Sequence, residues 1–323
     1  MGEVVIIIIP NFNGKELLAT CLPSVFSQTF KNFEVWVVDN GSTDNSVGFL
    51  KRNFPQVQLI INKKNLGFAK AVNLAIVKTQ SEYIVLLNND TKVDKNWLEN
   101  LVKAAKKHGD VASVASKIFS FNGKKIESVG DKINIVGQAY PAGLSEPARK
   151  YDKPGYILGA TGGASLFRRS AFDKIGLFDE DFFFYFEDVD WALRAQINGF
   201  KSYYEPAAIV YHKVGATAKK FGNFVEYLRF RNTIFLVIKN FPSSLFFKRG
   251  RWFKIPLVWL HTFYFFIKKG MFWEALKVVF DLTTRLPKLI KKRAKIMRLR
   301  KVEIAYLDNL MEEKRLKILF WKF

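Results

Sequence analysis

VVIIIIPNFNG (residues 4–14) and FEVWVVDNGS (residues 33–42) decide the fold. Each is an apolar, β-branched run that stops at a polar turn, the pattern of a strand buried on both faces. Between them Leu17, Leu18, Cys21, Leu22, Val25 and Phe26 recur at helical spacing. The alternation continues outward, with helices expected over 44–54, 66–78 and 95–107. Strands are expected over 57–61, 83–87 and 111–115. Strand and helix in alternation predict an α/β fold with a mostly parallel sheet and right-handed crossovers. Ligands of such sheets bind beyond the carboxyl ends of the strands. There Asn11 and Asn13, Asp39 and Ser42, Asn65, and the run Asn88-Asn89-Asp90 collect. Any one of these is an ordinary turn former; four clusters on one edge point to a site.

The second half is less regular. Residues 123–154 lose periodicity and gather turn formers, so a mobile loop beside the sheet is expected. GATGGASLF (159–167) reads as a strand whose glycines, Gly162 and Gly163 among them, allow close approach of another backbone or a ligand. FFFYF (182–186) leads into a helix that runs to residue 198. A short strand over 207–211 ends at His212.

Three groups could carry chemistry. Asp90, flanked by amides after an apolar strand, suits a divalent cation held by oxygen; it also suits a plain turn. Glu187-Asp188-Val189-Asp190 sets three acids against five aromatics. A carboxylate near apolar rings holds its proton more tightly, which favours a general base. Acids in a first helical turn also favour the macrodipole, and on a helix Asp190 is spaced to pair with Arg194, as Glu187 is with Trp191 or Arg194. His212 is either a ligand facing Asp90 or a strand-end residue. No nucleophile elbow, Walker loop or dinucleotide fingerprint is found. The single cysteine, Cys21, excludes a disulfide framework and a multi-cysteine metal site.

Charge is uneven. The 323 residues carry 51 Lys or Arg against 29 Asp or Glu, and residues 241–323 alone carry 20 against 6. A basic, aromatic tail implies a polyanionic partner. Its longest uncharged run, 255–267, is too short for the roughly 20 residues a bilayer needs. Residues 271–280 and 286–299 mix large apolar and basic residues, as interfacial helices do. An anionic membrane surface is the first expectation for the tail, a second subunit the next and nucleic acid the last. The terminal LKILFWKF is expected either to anchor or to dock back. The N-terminus lacks the pattern of a secretory leader. The expected organisation is a catalytic domain over 1–240 and a membrane-associating or oligomerising region over 241–323.

Seven blocks in order resemble the family 2 glycosyltransferases. They are IIIPNFNG (7–14), VVDNGSTDNS (37–46), NLGFAKAVN (65–73), LLNND (86–90), TGGASLFRR (161–169), FEDVDWALR (186–194) and VYHKVG (210–215). LNND with YFEDVDW is similar to bacterial rhamnosyltransferase-like members. The resemblance implies a GT-A fold and an inverting transfer from a dTDP- or UDP-sugar to a glycan or lipid-linked glycan. The setting would be the cytoplasmic face of the cell membrane. It implies that Pro10, Asn11, Asn13, Asp39 and Ser42 line the base and ribose pocket. Asn65, Gly67, Lys70 and Asn89 would approach the nucleotide diphosphate. Asp90 and His212 would hold Mn2+ or Mg2+, with Asn88 standing where the family has an acid. Asp188 would be the general base, and Glu187 and Asp190 would orient it. Gly162, Gly163 and Trp191 would lie on the acceptor side, Trp191 either stacking on a sugar or packing in the core. A nucleic-acid-binding protein and an inactive scaffold of the same fold are the competing readings.

Overall fold

The structure is a computed structural model that describes residues 4–213 and 221–312. The terminal LKILFWKF, and Val214 and Gly215 of the last motif, lie outside the described residues. The first half alternates as the sequence predicts: β1 (Val5–Asn11), α1 (Lys15–Phe26), β2 (Phe33–Asp39), α2 (Ser46–Asn53), β3 (Gln58–Ile61), α3 (Phe68–Lys78) and β4 (Tyr83–Leu87). After β4 come β5 (Thr91–Val93), α4 (Trp97–Lys107) and β6 (Val111–Ser120). The chain then makes β7 (Ile126–Ser128), β8 (Asp131–Ile133), β9 (Ala139–Pro141), β10 (Gly155–Ile157), β11 (Ala164–Arg168) and α5 (Arg169–Ile175). It continues through α6 (Glu187–Ile197), β12 (Lys201–His212) and α7 (Asn223–Asn240). It ends in α8 (Ser243–Phe247), α9 (Arg251–Lys268), α10 (Phe272–Arg298) and α11 (Ile304–Asn309).

The ten-stranded sheet runs β10-β12-β6-β11-β4-β1-β2-β3, with β5 added on β12 and β7 on β6. β3, β2, β1 and β4 are parallel, and β11 inserts antiparallel between β4 and β6. The unbroken apolar run of β1 has a direct cause. Ile7 and Ile9 pack with Leu18, Leu22 and Trp97 on one face, while Ile6 and Ile8 pack with Val72, Phe172 and Trp191 on the other. A strand covered on both faces has no polar side to show.

Two expectations are corrected. Residues 123–154 are not a loop: they hold β7, the β8–β9 hairpin and a short 3-10 helix over 148–151. Three-residue strands are too short to display a period. Buried Ser128, Asp131, Asn134 and Gln138 also look like turn residues in the sequence. The two tail helices expected over 271–280 and 286–299 are one 27-residue helix that passes through Pro287.

The tail is docked rather than dangling. Lys292 pairs with Asp179 and Asp181, Arg285 and Lys288 pair with Asp181, and buried Arg251 pairs with Asp308. Part of the basic excess is therefore spent inside the molecule. Glu312 completes the packing: its backbone joins Ile133 and Ile135, and its side chain meets Lys132 and Tyr140. Among the described residues no helix is long and apolar enough to cross a membrane.

Candidate active site

The polar strand ends converge. β1 and β2 align so that Asn11 lies opposite Asp39. Asn11 Nδ2 donates to Asp39 Oδ2 at 3.0 Å and to Ser42 Oγ at 3.2 Å, while Asn11 Oδ1 accepts from Asn89 Nδ2 at 2.7 Å. Asp39 Oδ1 accepts the Ser42 amide at 3.0 Å. Asn13, at φ 49°, accepts the Thr43 amide at 2.7 Å and gives its own amide to Ser42 Oγ at 2.8 Å. Three strand ends and their turns are thus tied together by side chains and turn amides. Pro10 lies beside Val38 in the same register. Asn65 joins through Asn40, whose Nδ2 donates to Asn65 Oδ1 at 2.9 Å.

β5 pairs antiparallel with β12, placing His212 opposite Thr91 and beside Asp90. His212 Nε2 lies 2.8 Å from Asp90 Oδ1, and its Nδ1 lies 2.6 Å from Glu127 Oε1 on β7. Burial pushes the imidazole pKa down, but the two carboxylate hydrogen bonds outweigh it and raise it to about 10. Both ring nitrogens thus face carboxylates, and Nε2 ligates a cation only after giving up its proton. Asp90 and His212 offer one oxygen and one nitrogen, and Glu127 fixes the ring from behind. That donor set suits Mn2+ or Mg2+ with the remaining positions left to phosphate oxygens.

Asp188 sits in the first turn of α6. Its Oδ2 accepts the Gly162 amide at 2.8 Å and the Thr161 hydroxyl at 3.3 Å, and its Oδ1 accepts the Val189 amide at 2.8 Å. Burial raises its pKa, opposed by those three hydrogen bonds. The Gly163 carbonyl accepts the Asn88 amide at 2.8 Å, so the loop that holds Asp188 is bonded to the loop that carries Asp90. At Gly162 and Gly163 the close neighbours are side chains rather than a backbone: a Cβ on one would press on Phe68 and on the other against Asn88.

The aromatic run before α6 is strained. Phe183, Tyr185 and Phe186 have φ of 64°, 68° and 69°, each costing about 1–3 kcal/mol for a residue with a side chain. α7 holds them there. Asn232 Nδ2 lies within hydrogen-bond distance of the carbonyls of Phe182, Phe184 and Tyr185, at 2.7–3.0 Å. Arg231 binds the carbonyls of Asp181 and Phe182.

Some expected residues take other places. Trp191 does not reach the cleft: it is fully buried among Phe167, Phe172 and Phe178, with its indole N–H on the Gly176 carbonyl at 3.1 Å. Its spacing on α6 turns it to the sheet, so of its two readings the core one holds. Gly67 has φ 83°, and Phe183 occupies the space a Cβ there would need. Lys70 is half-exposed and pairs with Glu180 at 3.3 Å, a contact it must release to meet a diphosphate. Arg194 pairs with Asp190 at 2.9 Å as spaced, and Glu187 has neither Arg194 nor Trp191 as partner. Sequence reasoning missed Glu127 and Asp131, both in the segment read as a loop. It also missed Asp44, which caps α1 through the Lys15 amide at 2.9 Å.

A family model described as Glycosyl transferase family 2 matches residues 6–176. The chain belongs to that family. This family 2 glycosyltransferase is 25% identical over 286 residues to the N-acetylglucosaminyl-diphospho-decaprenol L-rhamnosyltransferase of Mycobacterium tuberculosis, covering 80% of this chain and 89% of the relative. It is 32% identical over 104 residues to the glycosyltransferase GlyG of Streptococcus pneumoniae, covering 31% of this chain and 35% of that one. Among solved structures, GalNAc-T7 with UDP, GalNAc and Mn2+ superposes with a TM-score of 0.58 at 17% identity, over 73% of this chain and 48% of that one. The mannosyltransferase PcManGT of Pyrobaculum calidifontis, in complex with GDP-Man and Mn2+, gives 0.53 at 16% identity, over 91% and 85%. The GT-A fold expected from the resemblance is the fold observed.

Proposed function

We propose that this glycosyltransferase carries out an inverting, divalent-metal-dependent transfer from a dTDP- or UDP-sugar to a hydroxyl of a lipid-linked glycan. The base and ribose lie against Pro10, Asn11, Asn13, Asp39 and Ser42. The Asp39 carboxylate accepts one hydrogen bond from the ring N–H of uracil or thymine. Asp188 takes the proton of the acceptor hydroxyl as its oxygen attacks the anomeric carbon, the backbone amides of Gly162 and Val189 fixing its aim. One displacement inverts that carbon, so no second nucleophilic acid is required. Asp90 and His212 would hold the cation, which supplies positive charge to the departing diphosphate. The observation that carries the reading is the joined edge itself: the Asp90–His212 contact at 2.8 Å and the Asp188 loop bonded to Asn88.

The lipid-linked acceptor has its own support. α9 exposes Trp252, Phe253, Leu257, Leu260 and Tyr264, and α10 exposes Phe272, Trp273, Leu276, Phe280 and Ile290. Large apolar side chains exposed in this number on two successive helices suit a binding face. The basic residues around it fit anionic headgroups on the cytoplasmic face of a membrane. The relative from Mycobacterium tuberculosis is named for a diphospho-decaprenol substrate.

A thermal-shift series tests the core of this reading. dTDP-rhamnose, UDP-galactose and UDP-N-acetylglucosamine are each added with and without Mn2+. One nucleotide sugar should raise the melting temperature, and more so with Mn2+. No shift with any of them, at millimolar ligand, defeats the proposal.

A further inference from the structure

The turn that leads into α6 is held from outside itself. The carbonyls of Phe182, Phe184 and Tyr185 face Asn232 of α7 rather than a helical ladder. Asn232 offers them its nitrogen because Arg231 takes its oxygen: Arg231 Nε and Nη2 lie 3.0 and 2.9 Å from Asn232 Oδ1. The same Nη2 reaches the Asp181 and Phe182 carbonyls at 2.9 and 3.0 Å. The turn passes its posture on in two directions. The Phe183 carbonyl accepts the Phe68 amide at 2.7 Å at the start of α3, and the Phe186 carbonyl accepts the Asp190 amide at 2.9 Å. The second bond closes the first turn of α6, the turn that carries Asp188.

What fixes Arg231 comes from α10. Its Nη1 donates to Asp281 Oδ2 at 3.0 Å, and the Tyr227 hydroxyl of α7 donates to the same oxygen. Asp281 Oδ1 faces Arg285 at 3.6 Å. Arg231 is 5% exposed and Asp281 9%. Burial pushes the Asp281 pKa up, but Tyr227, Arg231 and Arg285 outweigh it and hold it below the ordinary aspartate value, so the carboxylate is charged at neutral pH. A pair that only joined α7 to α10 would need nothing beyond itself. Here the guanidinium is divided. Its Nη1 side goes to Asp281 and Tyr227, and its Nε and Nη2 edge goes to the turn and to the amide that holds the turn. A buried guanidinium stripped of its carboxylate is left with an uncompensated charge, and the edge that grips the turn belongs to that same group.

We propose that Asp281 is a positioning residue for sugar transfer: through Arg231 and Asn232 it sets the posture of the turn over residues 182–186 and so the aim of Asp188. The proposal rests on the reading of Asp188 as the proton acceptor. Without Asp281 the guanidinium is drawn towards water, Asn232 loses its orientation, and the carbonyls of the turn lose their donors. The β1–β2 network that lines the nucleotide pocket keeps every contact of its own. Chemistry should therefore suffer before nucleotide binding does.

The test compares Asp281→Ala and Asp281→Asn with Asp308→Ala, all in the full chain. Asp308 is an equally buried carboxylate, 8% exposed, that pairs with Arg249 and Arg251 and so controls for lost stability. Hydrogen exchange is read over residues 180–190, and nucleotide affinity by titration with UDP and dTDP in the presence of Mn2+. Transfer is measured from the three nucleotide sugars above to octyl glycosides. Asp281→Ala should speed exchange over 180–190 and lower kcat about 10–100-fold. Its nucleotide affinity and donor KM should stay within about twofold of wild type. Asp281→Asn keeps an oxygen for Arg231 and Tyr227, so it carries the test if the alanine variant does not fold; its kcat should fall in the same sense but less. Asp308→Ala should lower the melting temperature with kcat near wild type. Adding Asp281→Ala to Arg231→Ala should cost no further kcat, since both cut one line of support. Exchange over 180–190 equal to wild type in both Asp281 variants overturns the proposal, and so does faster exchange with unchanged kcat. A fall in kcat matched by Asp308→Ala at the same loss of melting temperature, or a joint fall of kcat and nucleotide affinity, marks a structural role and overturns it too. Failure of the functional reading looks different: the wild type binds no nucleotide and transfers no sugar, while exchange over 180–190 still decides whether Asp281 holds the turn.

Discussion

The two walls of the cleft treat their polar groups in opposite ways. On the β1–β2 wall Asp39, Asn11, Ser42, Asn13 and Asn89 satisfy one another through contacts of 2.7–3.2 Å. On the α6 wall Asp131 and Glu187 keep buried oxygens without partners. A satisfied network fixes a shape before any ligand arrives. An unsatisfied one carries a cost in stability. In this molecule the satisfied network lies at the β1–β2 ends and the unsatisfied acids lie by α6, where Asp188 is held by three hydrogen bonds of its own.

The largest effect expected is at Asp188. Asp188→Asn keeps the shape and removes the base, so transfer should fall by about 10²–10⁴-fold with nucleotide binding intact; full turnover in a steady-state assay would end the base assignment. The wild-type pH profile sharpens the same point. Burial holds the Asp188 carboxyl above its ordinary value, so its ionised, proton-accepting form is lost as pH falls through that raised value. kcat/KM should decline on the acid side with a limb above the ordinary aspartate range, and the Asn variant should lack the limb. The same sign governs stability. Asp131 and Glu187 are raised, so the stability associated with their protonated forms is present at acid pH and lost as pH rises through their folded values. Asp131→Asn should therefore gain melting temperature relative to wild type at pH 7, and less so near pH 4.

The opposite wall predicts a different signature. Asp39→Ala removes acceptors for Asn11 and Ser42 as well as for a nucleobase. Nucleotide affinity should drop about 10–100-fold by calorimetry, with melting temperature lowered too; a gain in stability would break the contrast between the walls. Glu127→Gln takes the carboxylate from behind His212 and should weaken Mn2+ about 10–100-fold, with activity restored at high Mn2+. The smallest effect is at Lys70, whose exposed pair with Glu180 is worth about 0–1 kcal/mol. Lys70→Ala should leave the melting point nearly unchanged, and a raised donor KM would place it at the diphosphate.

The sequence was most legible where burial is two-sided. Ile6 to Ile9 must be apolar because both faces of β1 are covered, and the polar turn after them must begin where cover ends. The same reasoning placed Asn11, Asp39, Asn89 and Asp90 on one edge. It failed at β7–β9, where strands of three residues and buried, internally bonded polar side chains imitate a loop. That failure hid both Glu127 and Asp131. His212 could be singled out as a strand end near a carboxylate, but its second partner comes from 85 residues away, across a pairing no local pattern announces. Trp191 was ambiguous for another reason: only the rotation of α6 decides whether an aromatic faces the sheet or the groove.

The anchoring of the turn before α6 has a practical corollary. The match to the family model ends at residue 176, yet the backbone posture of residues 182–186 is held by Arg231 and Asn232, and the acids at 179 and 181 are neutralised by Lys239, Arg285, Lys288 and Lys292. A shortened polypeptide ending near residue 240, a natural choice for simplifying expression, would strip Asp181 of its three cations and Asp179 of one of two. Such a fragment would keep every motif that betrays its ancestry, and Arg231 and Asn232 with them, yet leave the acids just ahead of the strained turn short of their countercharge.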